Sequence, residues 1–249
     1  MRKIIILLFL FLYIFKINGQ NTSSDSLINK NNIRLRYKSL IIPTVLIGYG
    51  VFGLENHTIK LLNKSTQNEL AEHIDSKLTI DDFSQYVPFL SVYGLNAIGI
   101  KGQNNFKDIT IILGIAYIIM GGTVNILKGT GNVERPDATS KNSFPSGHTA
   151  TAFMGAEFLY QEYKDVSIWF GVAGYLMATG TGMFRMYNNR HWLTDVAAGA
   201  GIGILSTKIA YKIHPLIKRT IFKNKENTNG IVMPFYNGRE FGLNLSMTF

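Results

Sequence analysis

Six apolar stretches recur along the chain, at residues 40–54, 86–100, 109–127, 149–160, 166–183 and 196–211. Runs of this length and character predict helices, and six of them predict an all-α fold, a six-helix bundle. Small residues recur within them, at Gly114, Gly121, Gly122, Gly171, Gly174, Gly199, Gly201 and Gly203. Glycines on helix faces suit close backbone approach, which membrane bundles exploit and soluble bundles permit. Two stretches approach the length of a membrane span. Glu157 and Lys208 interrupt others, so each of these is either a short, bundle-facing membrane helix or a buried helix of a soluble domain.

The ends differ in kind from this middle. Arg2 and Lys3, an apolar run over residues 4–14, and then Lys16, Gly19 and Gln20 have the layout of a signal peptide over residues 1–19, with an uncleaved N-terminal anchor as the alternative. A polar segment, 20–38, leads into a helical domain, 39–213, and a basic tail, 214–249. In the tail, alternating residues on either side of Asn237-Gly238 predict a β-hairpin. Lysines and arginines before the first stretch and around the last place both ends inside, with the motif loops outside if all six stretches span. A cleaved leader would instead start the mature chain outside. The net charge of +9 fits phosphates or an acidic membrane surface. Nucleic acid is set aside, because no basic helix is interleaved with exposed aromatics. With no cysteine, disulfides and thiolate metal sites are excluded.

Three short strings carry the chemistry. In KGTGNVERP, Lys128 closes an apolar helix and Arg135 follows a glycine-rich turn stiffened by Pro136, so both cations can fold onto one anion. In PSGH, residues 145–148, Ser146, Gly147 and His148 stand at the start of an apolar helix. There, free N–H groups and the helix dipole favour an anion, Gly147 allows close approach, and His148 is placed for proton transfer. In RMYNNRHWLTD, residues 185–195, His191 and Asp195 are four apart. On one helix face the carboxylate would fix the imidazole tautomer and leave the other nitrogen free to attack phosphorus. Arg185 adds a third cation. Arg190 and Trp192, beside His191, read as rim residues, and His57, His73 and His214 as bystanders.

In order and spacing, these strings resemble the type-2 phosphatidic acid phosphatase superfamily, whose pattern is K-x6-R-P, then P-S-G-H, then S-R-x5-H-x3-D. The resemblance covers about residues 40–211. It implies that His191 is a nucleophile forming a phosphohistidine, that Asp195 orients it, and that His148 protonates the leaving group. Lys128, Arg135 and Arg185, with Ser146 and Gly147, would hold the phosphate oxygens; no metal and no cofactor are implied. Phe184 departs from the pattern, standing where the family has Ser. The implied partners are a membrane and a phosphorylated lipid or small phosphate ester. A lipid-linked phosphomonoester or pyrophosphate is the leading expectation. A soluble periplasmic acid phosphatase, a phosphotransferase and a vanadium haloperoxidase are the alternatives within the same superfamily.

Overall fold

All six apolar stretches form helices in the computed structural model, which describes residues 37–71, 79–222, 229–236 and 241–248. In chain order, the helices are α1 (Tyr37–Gly53), α2 (His57–Ala71), α3 (Ile80–Ser84), α4 (Val87–Ala97), α5 (Phe106–Gly131), α6 (Gly147–Tyr163), α7 (Ile168–Tyr187) and α8 (Leu193–Phe222). The described residues therefore hold eight helices rather than six. The two extra ones escape a hydropathy reading for physical reasons. α2 carries Lys60, Lys64, Asn63 and Gln67 among its apolar residues and is amphipathic, while α3 has only five residues. The candidate signal peptide lies outside the described residues, as do Asn237 and Gly238.

Side chains set the helix starts. Asn105 accepts the Asp108 N–H at the head of α5, Ser146 the Thr149 N–H at α6, and Ser167 the Trp169 N–H at α7. α5 ends at Asn132, whose φ of 47° is the left-handed conformation that stops a helix. One face of α5, from Ile109 and Ile112 through Ala116, Met120 and Val124 to Leu127, is buried at three- and four-residue spacing. It points the helix's last turn, with Lys128, at the neighbouring loops.

By length and composition, α5 and α8 can cross a membrane; α1 and α2, bent by 96° at the break between them, count as a third span if taken together. The described residues therefore offer two or three spanning helices, in keeping with the two stretches whose length approaches a span. α4 has 11 residues and α6 has 17, and α6 buries Glu157 and Glu162. In the most apolar window of α5, 28% is buried, against 72% in α8, so α8 is the central helix and α5 a peripheral one. Ile118 on α5 and Trp169 and Leu176 on α7 are among the large apolar side chains left exposed, a surface that suits lipid tails.

α8 packs closely because it lacks side chains where it meets α6. A Cβ at Gly199 would stand 2.5 Å from the Ser146 carbonyl oxygen, and one at Gly203 would stand 2.7 Å from the Met154 nitrogen. Gly203→Leu is expected to separate the two helices; aggregation in size-exclusion chromatography would show this, and wild-type elution with an unchanged melt would refute it. The charges that interrupt the apolar stretches neutralise each other. Lys208 Nζ lies 2.6 Å from Glu157 Oε1, and Gln161 and the Tyr175 hydroxyl also bond Glu157.

A second compact unit, Ile213–Phe249, contains β1 (Asn229–Tyr236) and β2 (Phe241–Thr248). They pair antiparallel in register from Asn229↔Thr248 to Tyr236↔Phe241.

Candidate active site

The C-terminal ends of α5 and α7 and the N-terminal starts of α6 and α8 meet at one end of the bundle, and the three motif strings lie at those four helix ends. Backbone hydrogen bonds lock the approach. The Ser146 N–H donates to the Asp195 carbonyl at 3.0 Å, and the 132–146 loop folds on itself through Ser143 N–H to the Val133 carbonyl at 2.9 Å.

Asn142, which the sequence reading did not single out, holds two of the expected cations together. Its carbonyl accepts from Lys128 Nζ at 2.6 Å, and its Oδ1 from Arg135 Nε at 3.0 Å. Trp192 Nε1 donates to the Glu134 carbonyl at 2.8 Å, and Arg190 pairs with Asp137 at 3.2 Å, so both rim residues brace this loop. A cavity of about 280 Å³ adjoins Trp192, with Lys60, Asn63 and Lys64 of α2 on its wall.

His191 is 3% exposed and sits just ahead of α8 rather than on it. The expected pairing of His191 and Asp195 along a helix face is therefore corrected: they meet at a helix start. Asp195 Oδ2 reaches back to accept the Trp192 N–H at 2.9 Å, in the manner of a capping box, and lies 3.5 Å from His191 Nδ1. Ser143, also missed by the sequence reading, stands between them. Its hydroxyl donates to Asp195 Oδ2 at 2.5 Å and lies 3.5 Å from His191 Nδ1. Burial, above all, lowers the His191 pKa to about 4. Asp195 opposes that shift, and the charges of Lys128 and Arg185 add to it. The imidazole is thus the free base at neutral pH, with its electron pair available.

Ser146 is fully buried and its hydroxyl is spent locally, 3.4 Å from the Thr149 N–H and 2.8 Å from the Thr149 hydroxyl. The N–H groups of Gly147 and His148 have no partner among the described residues, which leaves them available to an anion at the start of α6. A Cβ on Gly147 would come no closer than 3.7 Å to Val124 and 4.0 Å to Lys128 Cε. The protein itself therefore has room for a side chain there, in a space bordered by a site cation.

Arg185 and His148 share a neighbour that lies outside all three strings, the aspartate pair of α3. Arg185 is 7% exposed, and its Nη1 lies 2.5 Å from Asp81 Oδ2 and 3.6 Å from Asp82 Oδ1. Its Nε is buried without a partner among the described residues. His148 Nε2 lies 3.0 Å from Asp82 Oδ1. Phe184, the departure from the pattern, packs edge-on against Tyr187 and leaves Arg185 in place.

Residues 109–219, which hold all three strings, match the family described as the PAP2 superfamily. Over that segment the chain is similar to the PAP2 superfamily. A lipid A 1-phosphatase from Porphyromonas gingivalis is 43% identical over 141 residues, 56% of this chain. The match spans only 32% of that relative's length. Among solved PAP2-like structures, LpxE from Aquifex aeolicus aligns at 25% identity and a TM-score of 0.47 over 61% of this chain and 95% of the other. A transmembrane PAP2-type phosphatidylglycerolphosphate phosphatase from Bacillus subtilis aligns at 18% and 0.46 over 72% and 98%.

Proposed function

We propose that this PAP2-like protein hydrolyses a lipid-linked phosphomonoester or pyrophosphate through a phosphohistidine, in a membrane and on its outer face. The observation that carries the reading is the meeting of a neutral, buried His191 with Lys128 and Arg185, whose fields reach it, at one end of a bundle with apolar outer faces. The P. gingivalis relative, named for lipid A, supports a phosphorylated lipid as the substrate class.

In the first step, His191 Nε2 attacks phosphorus while Asp195 and Ser143 hold the Nδ1 edge. The bond to the leaving oxygen breaks, and His148 gives that oxygen a proton. Lys128, Arg135, Arg185 and the N–H groups of Gly147 and His148 at the α6 N-terminus neutralise the charge spread over the equatorial oxygens, while Ser146, expected to touch phosphate, caps the helix that presents them. In the second step, neutral His148 takes a proton from water, whose oxygen displaces His191 and releases phosphate. The chemistry draws on no metal.

Phosphate release by the detergent-solubilised full chain, with chelator present, tests this across lipid and water-soluble phosphates. Release from lipid phosphates is the expected result. Release from soluble esters alone would favour an acid phosphatase, and peroxide-dependent halide oxidation without hydrolysis would overturn the reading. Gly147→Ala gives a finer test. Because the protein has room for the methyl, the melt should be unchanged, while kcat/KM falls about 10-fold or more through crowding of the phosphate. Unchanged kcat/KM would remove the phosphate from that space.

A further inference from the structure

α3 is short but firmly held, and it is held against the site. Ser84 Oγ lies 2.8 Å from Thr181 Oγ1, and Asp81 bonds both Arg185 and Asn188 Nδ2, the latter at 3.1 Å. Thr181, Arg185 and the C-cap Asn188 follow one another at four- and three-residue spacing, so one face of α7 and its C-terminal end receive α3. Gln85 Nε2 donates to the Asp82 carbonyl at 2.9 Å, closing the turn. The Asp82 side chain is therefore presented by an anchored backbone. It is 52% exposed, and its Oδ1 meets His148 Nε2 where His148 is 31% exposed, at the solvent-facing edge of the site.

A carboxylate only accepts hydrogen bonds, so His148 Nε2 must carry the proton in this pair. Nδ1 is then the ring nitrogen left for the reaction. It can donate to a leaving oxygen only if the ring is an imidazolium. We propose that Asp82 is a positioning residue for the proton donor: its carboxylate holds His148 by Nε2–H, turns Nδ1–H to the leaving oxygen and keeps the imidazolium populated. The inference rests on the phosphatase reading above. In the step itself, the Nδ1 proton passes to the departing oxygen as the phosphorus–oxygen bond breaks; water returns a proton to Nδ1 during hydrolysis of the phosphohistidine. Asp82 stays ionised throughout.

The charges around His148 explain why such help is needed. Burial, first, and Arg185, second, pull its pKa below the ordinary histidine value, whereas the Asp82 hydrogen bond and charge, and then the Asp81 charge, push it up. Without Asp82, only the more distant Asp81 would oppose Arg185.

The test compares full-length wild type, Asp82→Asn and Asp82→Glu on an alkyl lipid phosphate and on p-nitrophenyl phosphate, whose leaving group departs without a proton. Asp82→Asn should lower kcat on the alkyl substrate about 10- to 100-fold, leave the aryl ester within about 3-fold, and move the basic limb of the alkyl pH profile down by about one unit. Asp82→Glu should recover part of the loss. Equal losses on both substrates, or none on either, would overturn the proposal while leaving the phosphatase reading intact. Failure of wild type to release phosphate, or undiminished release by His191→Ala, would instead sink the phosphatase reading. The Asp82–His148 link has its own readout, the His148 titration followed by NMR in histidine-labelled protein. A drop of about one unit in Asp82→Asn supports the pairing, and an unmoved titration refutes it.

Discussion

His191→Ala is expected to lower phosphate release by about 10⁴-fold or more, because in the proposed mechanism it removes the atom that bonds phosphorus rather than one that assists it. The protein should fold as before. Asp195, the buried group most exposed to the loss, keeps its Oδ2 hydrogen bonds from the Ser143 hydroxyl and the Trp192 N–H, so deleting the ring leaves no naked carboxylate. Melting should therefore move little while activity disappears, and loss of both together would mean that the ring mainly supports packing. A direct readout comes from stopping wild type during turnover of ³²P-labelled substrate. A phosphoimidazole survives alkali and is lost in acid, so label retained in alkaline denaturant, absent from His191→Ala, is the expected outcome; undiminished release by the variant would remove the covalent step. The low pKa also sets the pH range. With His191 protonated only below about pH 4, a neutral nucleophile is available throughout the neutral and mildly acidic range, and the acidic limb of kcat/KM in free enzyme should not reflect an ordinary histidine near 6.5.

How far the sequence could foresee this arrangement depends on where each group gets its specificity. The residues proposed to hold or attack phosphate lie in three compact strings with fixed spacing, so Lys128, Arg135, Ser146, Gly147, His148, Arg185, His191 and Asp195 could be nominated from one dimension. The groups that hold them could not. Ser143 lies 52 residues from Asp195 in the chain, and Asp81 lies 104 from Arg185. A serine beside a proline turn, or two aspartates in a polar stretch, carries no signal until the fold brings it to a partner. Asn142 stands out least of all, since half its work is done by its carbonyl. The same limit explains the helix count. Apolar runs announced the helices that bury or expose whole faces, but α2 mixes lysines with leucines and α3 is a single turn and a half whose stability comes from α7. The twin aspartates at the start of α3 were the available clue, since acidic residues favour a helix's first turn.

Arg185→Met should be the most disruptive single change at the site, for two separable reasons. Asp81 is 1% exposed and would lose its cation, keeping only neutral donors such as Asn188 Nδ2; removing one partner of a buried pair typically costs about 3–5 kcal/mol. A fall of many degrees in melting temperature is the expected result in detergent. Activity should fall by about 10²–10³-fold as well, since a fixed donor to the transferring phosphoryl group is gone. A second substitution separates the two effects. Asp81→Asn added to Arg185→Met removes the stranded charge, so most of the melting temperature should return while activity stays low. If the double variant instead recovered wild-type turnover, Arg185 would be a strut for α3 and not a phosphate ligand. If the single variant melted like wild type, Asp81 would not be the buried, charge-dependent anchor that its geometry describes. The two functions belong to one side chain because a guanidinium offers five donors in a rigid plane. Nη1 is committed to Asp81, while Nε, buried and without a partner among the described residues, remains for an oxygen that the protein does not supply.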